Sequence, residues 1–227
     1  MYQENLLLVE GDTDKGFFSR LCETLNLSLK VTVAPPRDLG GRYNTKQGVL
    51  KHLPTLLHQL NDGSIHHLAI VVDADYVEHH GLGATKTLEQ IKEIMSPFGF
   101  ELRDNTSYLN GLSFKHSDGL SDFGVWIMPD NKKDGMFEDW IKSCIVKDEQ
   151  ALFCHVEKTV ADLEQHHFKK FKDIHTTKIE VATWLAWQDL PKYHVDCVLD
   201  QKSPLIDKDA DSYKYLVNWL KKIYTNK

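Results

Sequence analysis

The stretch that decides the fold is Leu6-Leu7-Leu8-Val9-Glu10-Gly11-Asp12-Thr13-Asp14. Its four consecutive apolar residues are typical of a short strand that is buried on both faces, as in a parallel sheet. The strand ends abruptly at an acid and a glycine, and the three residues after the glycine offer N-cap groups for a helix. This order places Glu10 at the carboxyl end of a central strand and Asp14 in the first helical turn.

Glu10 is the more informative of these two acids. A helix N-terminus favours negative charge, so capping alone explains Asp14. An acid that ends an apolar strand has no structural advantage there, whereas ligands of open α/β sheets bind at the carboxyl ends of the strands. We therefore expect Glu10 to belong to a functional site at this edge of the sheet.

A second apolar run, Leu68 to Val72, also ends in acids, Asp73 and Asp75. In an extended chain these two residues point to the same side, because they are two positions apart. Carboxylates that meet at one sheet edge repel each other, and burying them is costly unless a cation lies between them. Oxygen-only ligands favour Mg²⁺ or Mn²⁺ over zinc, so we expect a metal site that includes Glu10 and Asp14 as well.

A third apolar run, Phe123 to Met128, is followed by Asp130. Asp130 is either a further metal ligand or part of a simple turn, and the sequence favours neither. Lys132 and Lys133 follow it and are candidates for nucleic-acid binding. The run is preceded by a short apolar segment around residues 112–114, which predicts a hairpin or an antiparallel edge of the sheet.

Other polar residues near these strands leave alternatives open. Glu138 and Asp139 lie on the next predicted helix, where each is either a further ligand or part of a solvated face. A glycine-containing loop carries Arg37 and Arg42, which are candidates for cradling a phosphate, although a flexible crossover loop is the alternative.

The two adjacent histidines, His66 and His67, precede the second acidic strand. Neighbouring residues of a strand face opposite sides of the sheet, so the sequence does not predict that these two histidines share a ligand.

The strands alternate with helices through the first part of the chain. Residues 29–34 form a predicted strand and residues 45–60 an amphipathic helix, so three βα units precede residue 100. This pattern predicts an α/β fold with a mostly parallel central sheet. From residue 148 the helical period dominates, and we therefore divide the chain into an α/β core, 1–145, and a helical C-terminal extension packed on it, 146–227.

Composition limits the class of protein. The chain has 227 residues, of which 41% are hydrophobic, and this supports a full core. Its formal net charge of −6 is unlike that of a protein that coats nucleic acid, so nucleic acid is expected to bind through local patches or with a partner's help. The four cysteines are scattered and are expected to be reduced core residues. No long uncharged apolar run and no basic N-terminal segment occur, so we expect a cytoplasmic protein without a membrane span.

The acidic motifs resemble a known domain. The Glu10-Gly11-x-x-Asp14 turn followed by Asp73-x-Asp75 resembles the Toprim domain of topoisomerases, bacterial primases and OLD (overcoming lysogenization defect) nucleases. The spacing from Glu10 to Asp14 is most similar to that of the OLD-type branch. The segments 124–131 (GVWIMPDN) and 183–188 (TWLAWQ) resemble those of an uncharacterised family of small stand-alone Toprim proteins, and this resemblance spans most of the chain.

The resemblance implies a Toprim-like, Rossmannoid three-layer fold and a metal-dependent nuclease with a two-metal mechanism. Asp73 and Asp75 would then hold Mg²⁺ or Mn²⁺, and Glu10 would bind a metal or act as general base toward the attacking water. Asp14 would bind or orient a second metal. OLD-type nucleases also have a lysine downstream of the acids that stabilises charge at the scissile phosphate, and this role falls on Lys178.

Two other classes of function stay open. Primases share the Toprim core, so a nucleotidyl or phosphoryl transferase is one alternative, although the sequence contains no separate nucleotide-binding signature. A non-catalytic subunit with the same fold is the other. OLD-type Toprim domains often lie beside an ATPase, and this chain has no ATPase motif, so an ATPase supplied in trans, by analogy in phage defence, is a candidate partner. DNA and RNA both remain candidate substrates, and an oligomer is also open.

Overall fold

The computed structural model describes residues 4–34, 45–103 and 111–225, and the predicted phosphate-binding residues Arg37 and Arg42 lie outside these ranges. The strands are β1 (Glu4–Val9), β2 (Lys30–Val33), β3 (Ile65–Asp73), β4 (Phe100–Leu102), β5 (Leu112–His116) and β6 (Phe123–Met128). The α-helices are α1 (Asp12–Thr24), α2 (Lys46–Asn61), α3 (Gly83–Met95), α4 (Phe137–Ser143), α5 (Gln150–Gln165), α6 (Thr176–Ala186) and α7 (Asp211–Thr225). No helix within these ranges is long and apolar enough to cross a membrane.

The strands form one mixed sheet in the order β2-β1-β3-β6-β5-β4. The first four strands of this order are parallel, whereas β5 runs antiparallel to β6 and β4 runs antiparallel to β5. The predicted α/β fold with a mostly parallel sheet and an antiparallel edge is therefore confirmed. Because β1, β3 and β6 are parallel neighbours, their carboxyl ends meet at the same edge of the sheet.

Helices cover both faces of the sheet and give three layers. Alternate residues of the central strands, such as Leu8 and Ile70, pack with α2 and α3 in one hydrophobic cluster. The residues between them, such as Leu7 and Val71, pack on the other face with α1 and the helices from α4 to α7. Burial on both faces explains why these strands are continuously apolar rather than alternating.

The C-terminal helix closes the second face of the sheet. The Tyr224 hydroxyl donates to the carbonyl oxygen of Leu6 at 2.6 Å, which ties α7 to the strand that opens the chain. A Cβ atom at Gly124 in β6 would lie 2.8 Å from Ile223 Cγ1, so the close approach of α7 to the sheet requires glycine there. Residues from both sides of the predicted boundary at residue 145 thus belong to one hydrophobic cluster.

The pairing of β1 with β3 is irregular at its start. Glu4 pairs with Ile65 but Asn5 pairs with His67, so His66 is an extra residue opposite the shift in register. Such a bulge breaks the alternation of side chains along a strand. The ring centroids of His66 and His67 lie 4.1 Å apart, and the premise that these histidines face opposite sides is wrong at this position.

Candidate functional site

An open cleft of about 360 Å³ lies at the carboxyl edge of the parallel strands. Its lining includes five carboxylates and one lysine, namely Glu10, Asp12, Asp14, Asp73, Glu138 and Lys178. We call this feature the acidic cleft. Apart from the exposed Asp12, which shares the first turn of α1 with Asp14, each side chain comes from a different element: the end of β1, the first turn of α1, the end of β3, the first turn of α4 and the first turn of α6.

Two backbone hydrogen bonds fix the carboxylates that end the strands. The backbone N–H of Asp73 donates to Glu10 Oε1 at 2.8 Å, which links the ends of β1 and β3. The backbone N–H of Phe137 donates to Asp73 Oδ1 at 2.9 Å, which links β3 to the first residue of α4. Each bond occupies one oxygen of its carboxylate and so orients the group at the floor of the acidic cleft.

The acidic cleft holds its protons more tightly than ordinary carboxylates do. Burial raises the pKa of Glu10 from 4.5 to about 8, and the charges of Asp14 and Asp75 add to this effect. Burial, together with repulsion from Glu138, raises the pKa of Asp14 to about 6. Burial and the charge of Glu10 also raise the pKa of Asp73 well above its usual value. The side chains of the cluster therefore do not supply enough positive charge to keep all of these carboxylates ionised at their usual pKa values.

Lys178 supplies the cation at the rim of the acidic cleft. Its Nζ lies 3.5 Å from Glu138 Oε1, and its side chain is 58% exposed whereas that of Glu138 is 5% exposed. Burial lowers the pKa of Lys178, but attraction to Glu138 and Asp73 outweighs it, and the pKa rises. Lys178 is therefore charged at neutral pH and remains accessible to a ligand.

Glu138 and its neighbour Asp139 have different surroundings in the structure. Glu138 is buried and lines the acidic cleft. Asp139 Oδ2 accepts the backbone N–H of Met136 at 2.7 Å and the hydroxyl of Tyr76 at 2.5 Å. The same hydroxyl lies 3.1 Å from Thr177 Oγ1, next to Lys178 in α6. Asp139 thus holds the starts of α4 and α6 together, whereas Glu138 belongs to the acidic cleft.

Asp75 lies beside the acidic cleft, and its carboxylate contacts a buried lysine. Strand β3 ends at Asp73, and Asp75 has a φ of 62°, so the expectation that both acids point to the same side of an extended chain is wrong. Asp75 Oδ2 lies 2.5 Å from the Nζ of Lys46, a buried lysine at the start of α2. This amine also donates to the carbonyl oxygens of Asp73 and Ala74, each at 2.9 Å.

Lys46 is a residue that sequence reasoning missed. Its side chain is only 7% exposed, and it fixes the turn that follows β3 directly behind the acidic cleft. The sequence offers no local signal for this role, because a lysine in the first turn of an amphipathic helix is ordinarily solvated. Only the packing of α2 against β3 brings the amine to the turn.

Asp130 has the hydrogen bonds of a simple turn, which is one of the two alternatives that the sequence leaves open. Its Oδ1 accepts the backbone N–H groups of Lys132 at 3.1 Å and Lys133 at 2.7 Å. Asp130 Oδ2 also lies 3.7 Å from Lys133 Nζ, and the acidic cleft is not lined by any of these three residues. Both lysines are exposed, and their contact with nucleic acid stays a prediction.

The donor set of the acidic cleft fits a hard divalent cation, because its ionisable oxygen donors are all carboxylates. Among the described residues, no three His, Cys, Asp or Glu side chains are arranged to hold a metal ion without adjustment. Backbone N–H groups occupy one oxygen each of Glu10 and Asp73. A metal ion in the cleft would therefore be held by the other oxygens of these carboxylates.

Comparison with known proteins places the whole described chain in one family. A family model described as "Protein of unknown function (DUF3226)" matches residues 4–225. The chain belongs to the DUF3226 family. The match includes the acidic residues at the strand ends and the helix that supplies Lys178. All the described residues that line the acidic cleft therefore lie within the matched range. No curated protein and no solved structure matches the chain.

Proposed function

We propose that this DUF3226 protein is a metal-dependent nuclease that hydrolyses phosphodiester bonds of nucleic acid. The observation that carries the proposal is the convergence of Glu10, Asp14, Asp73 and Glu138 on one open cleft with Lys178 at its rim. The resemblance of the two strand-end motifs to Toprim nucleases supports the same reaction class. Mg²⁺ and Mn²⁺ are the proposed cofactors because the donors are carboxylates only.

The electrostatics of the site support a cation from solution. Glu10 and Asp14 have raised pKa values of about 8 and about 6, which means that ionising them in the metal-free protein is unfavourable. A bound divalent cation reverses this penalty, because it stabilises the charged form of every carboxylate around it. Metal binding would therefore release protons from the acidic cleft near neutral pH.

The residues of the acidic cleft have separable roles in hydrolysis. Divalent cations, when bound, would supply Lewis acidity to the attacking and leaving oxygens of an in-line displacement. Glu10 is suited to accept a proton from the attacking water, because its carboxylate lines the cleft and is held in place through Oε1 by the backbone N–H of Asp73. Lys178 is suited to stabilise the extra negative charge on the phosphate, because it is cationic and exposed.

The substrate is proposed to reach the cleft through local positive charge. The chain as a whole carries a formal net charge of −6, so long-range attraction of a polyanion is weak. Lys178 at the rim, with the exposed Lys132 and Lys133, provides cations at the carboxyl edge of the sheet. We also propose a cytoplasmic location, which the four free thiols of the chain support.

A cleavage assay with matched variants tests the proposal. Single- and double-stranded DNA and RNA are incubated with the full chain in Mg²⁺, Mn²⁺ or EDTA. We expect cleavage that needs the metal and is lost in Asp73→Asn. Glu89→Gln makes the same change of charge at an exposed position on α3 and should retain full activity.

Three outcomes would contradict the proposal. Cleavage that persists in EDTA, or in Asp73→Asn, would point to a contaminating nuclease. Absence of Mn²⁺ binding in calorimetry would show that the acidic cleft is not a metal site. Metal binding without cleavage of any of the four substrates would contradict autonomous nuclease activity, and the assay would then be repeated with a partner ATPase and with labelled nucleotides for transfer activity.

A further inference from the structure

A second cleft, of about 370 Å³, opens at the other end of the sheet. It is lined by residues near the start of β3, the residue that follows β4, the four residues before β6 and residues near the end of α7. His66 is separated from Asp73 by seven positions of β3, which corresponds to roughly 23 Å along an extended strand. The two clefts are therefore distinct sites at opposite edges, and we call this one the basic cleft.

Basic side chains from three parts of the chain line the basic cleft. They are His66 and His67 in β3, Arg103 after β4 and Lys222 in α7. Among the described lining residues basic groups outnumber acidic ones, whereas the chain as a whole has a formal net charge of −6. Attraction to the cationic Lys222 side chain would favour binding of an anion at this cavity.

Among the described residues that line the basic cleft, one carries a carboxylate, and it is already engaged. Asp122 Oδ2 lies 2.6 Å from Arg103 Nη2, and it also accepts the hydroxyl of Ser113 at 3.1 Å. This pairing orients the guanidinium and offsets the charge of Asp122. The amine of Lys222, which is exposed to solvent, and the two imidazoles also line the cavity.

The bulge in β3 explains how two adjacent histidines reach one cavity. His66 is the extra residue at the register shift, and its ring lies beside that of His67. His67 Nδ1 lies 3.0 Å from Asn5 Oδ1, so the amide oxygen of β1 accepts from the ring and orients it. Bulges that re-aim side chains in this way are a recognised feature of ligand sites.

We propose that the basic cleft binds the phosphate of a nucleotide-sized ligand, either a free nucleotide or the terminal nucleotide of a nucleic acid. Its volume of about 370 Å³ lies in the range of small-molecule sites. Lys222, whose side chain is exposed, is suited to contact the phosphate oxygens. Leu120, which is 37% exposed, and Ile223 provide an apolar wall for the sugar or base. This site is independent of the proposed nuclease reaction and needs no metal.

The test is a calorimetric titration in EDTA, so that metal-assisted binding of phosphate at the acidic cleft is eliminated. The probes are pyrophosphate, adenosine diphosphate and a single-stranded DNA decamer. We expect saturable binding that Lys222→Gln weakens tenfold or more, since one charge-assisted hydrogen bond to phosphate is lost. Lys221→Gln changes the neighbouring exposed residue of α7 and should leave the affinity within twofold.

The probes also separate the two sources of phosphate. Tighter binding of adenosine diphosphate than of the decamer, with dependence on Lys222, identifies a free nucleotide, and the reverse order identifies the end of a nucleic acid. The proposal is overturned if none of the probes binds saturably at millimolar concentration. Equal weakening by Lys221→Gln and Lys222→Gln would overturn it too, because it would show non-specific attraction to α7.

Discussion

Replacing Glu10 with glutamine should stabilise the metal-free protein. The introduced amide would keep an oxygen to accept the backbone N–H of Asp73, which donates to Glu10 Oε1 at 2.8 Å. The substitution removes only the charge, and the rise in the pKa of Glu10 from 4.5 to about 8 corresponds to roughly 5 kcal/mol of penalty for the ionised form. Glu10 is partly exposed, and its titration depends on the charges of the neighbouring acids. We therefore expect the gain in the free energy of unfolding at high pH to be about half of this penalty, roughly 2 kcal/mol.

The sign of the pH dependence follows from proton binding. The folded state holds the Glu10 proton more tightly than the unfolded state, so between pH 4.5 and about 8 the folded state binds more protons. The free energy of unfolding of the wild type should therefore fall as pH rises through this range. Glu10→Gln lacks the titrating group, so its free energy of unfolding should fall less.

The assay is urea unfolding of both proteins in EDTA at about pH 5.5 and about pH 8.5, followed by tryptophan fluorescence. We expect the gain in the variant to be larger by roughly 2 kcal/mol at the higher pH. Mn²⁺ should stabilise the wild type and have a smaller effect on Glu10→Gln. A variant whose advantage is the same at both pH values, or absent, would refute the argument that burial of Glu10 destabilises the metal-free fold.

Two further substitutions test the lysines that flank the acidic cleft. Lys178→Gln should lower kcat of the proposed cleavage by about 100-fold with a smaller change in KM, as steady-state kinetics would show, because the exposed cation that would stabilise charge on the phosphate is lost. Lys46→Met should lower the free energy of unfolding in urea by about 3 kcal/mol, because it leaves the carboxylate of Asp75 without its cation. Adding Asp75→Asn to Lys46→Met should recover part of that loss, and no recovery would argue against the pairing.

The parts of the site that the sequence predicted depend on local patterns. Apolar runs that stop at an acid identified the ends of β1 and β3, and a parallel sheet brings such ends together. Glu10, Asp14 and Asp73 therefore meet as expected. Lys178 was placed by resemblance alone, and the structure sets it at the rim of the same cleft.

The parts that the sequence did not predict depend on departures from regular backbone. The expectation for Asp75 assumed that the extended chain continued past Asp73, whereas the chain turns there with a positive φ that a non-glycine residue rarely adopts. The pairing of the two histidines at the start of β3 required a bulge, which alternation rules do not anticipate. The contact of Lys46 with the turn after β3 depends on how α2 packs, which no local pattern encodes.

The acids around the carboxyl edge of the sheet fall into two groups by their partners. Asp75, Asp130 and Asp139 are each held by a lysine, a tyrosine or backbone N–H groups, and none of these three lines the acidic cleft. Within the described part of the chain, the five carboxylates that line the acidic cleft share a single lysine at the rim, and at least two of them have strongly raised pKa values. A fold selected only for stability would favour fewer buried carboxylates at one point, because each adds to the repulsion on the others. The three acids outside the cleft thus have partners within the protein, whereas the acidic cleft is open to solvent and has too little positive charge for its carboxylates. A divalent cation would supply that charge.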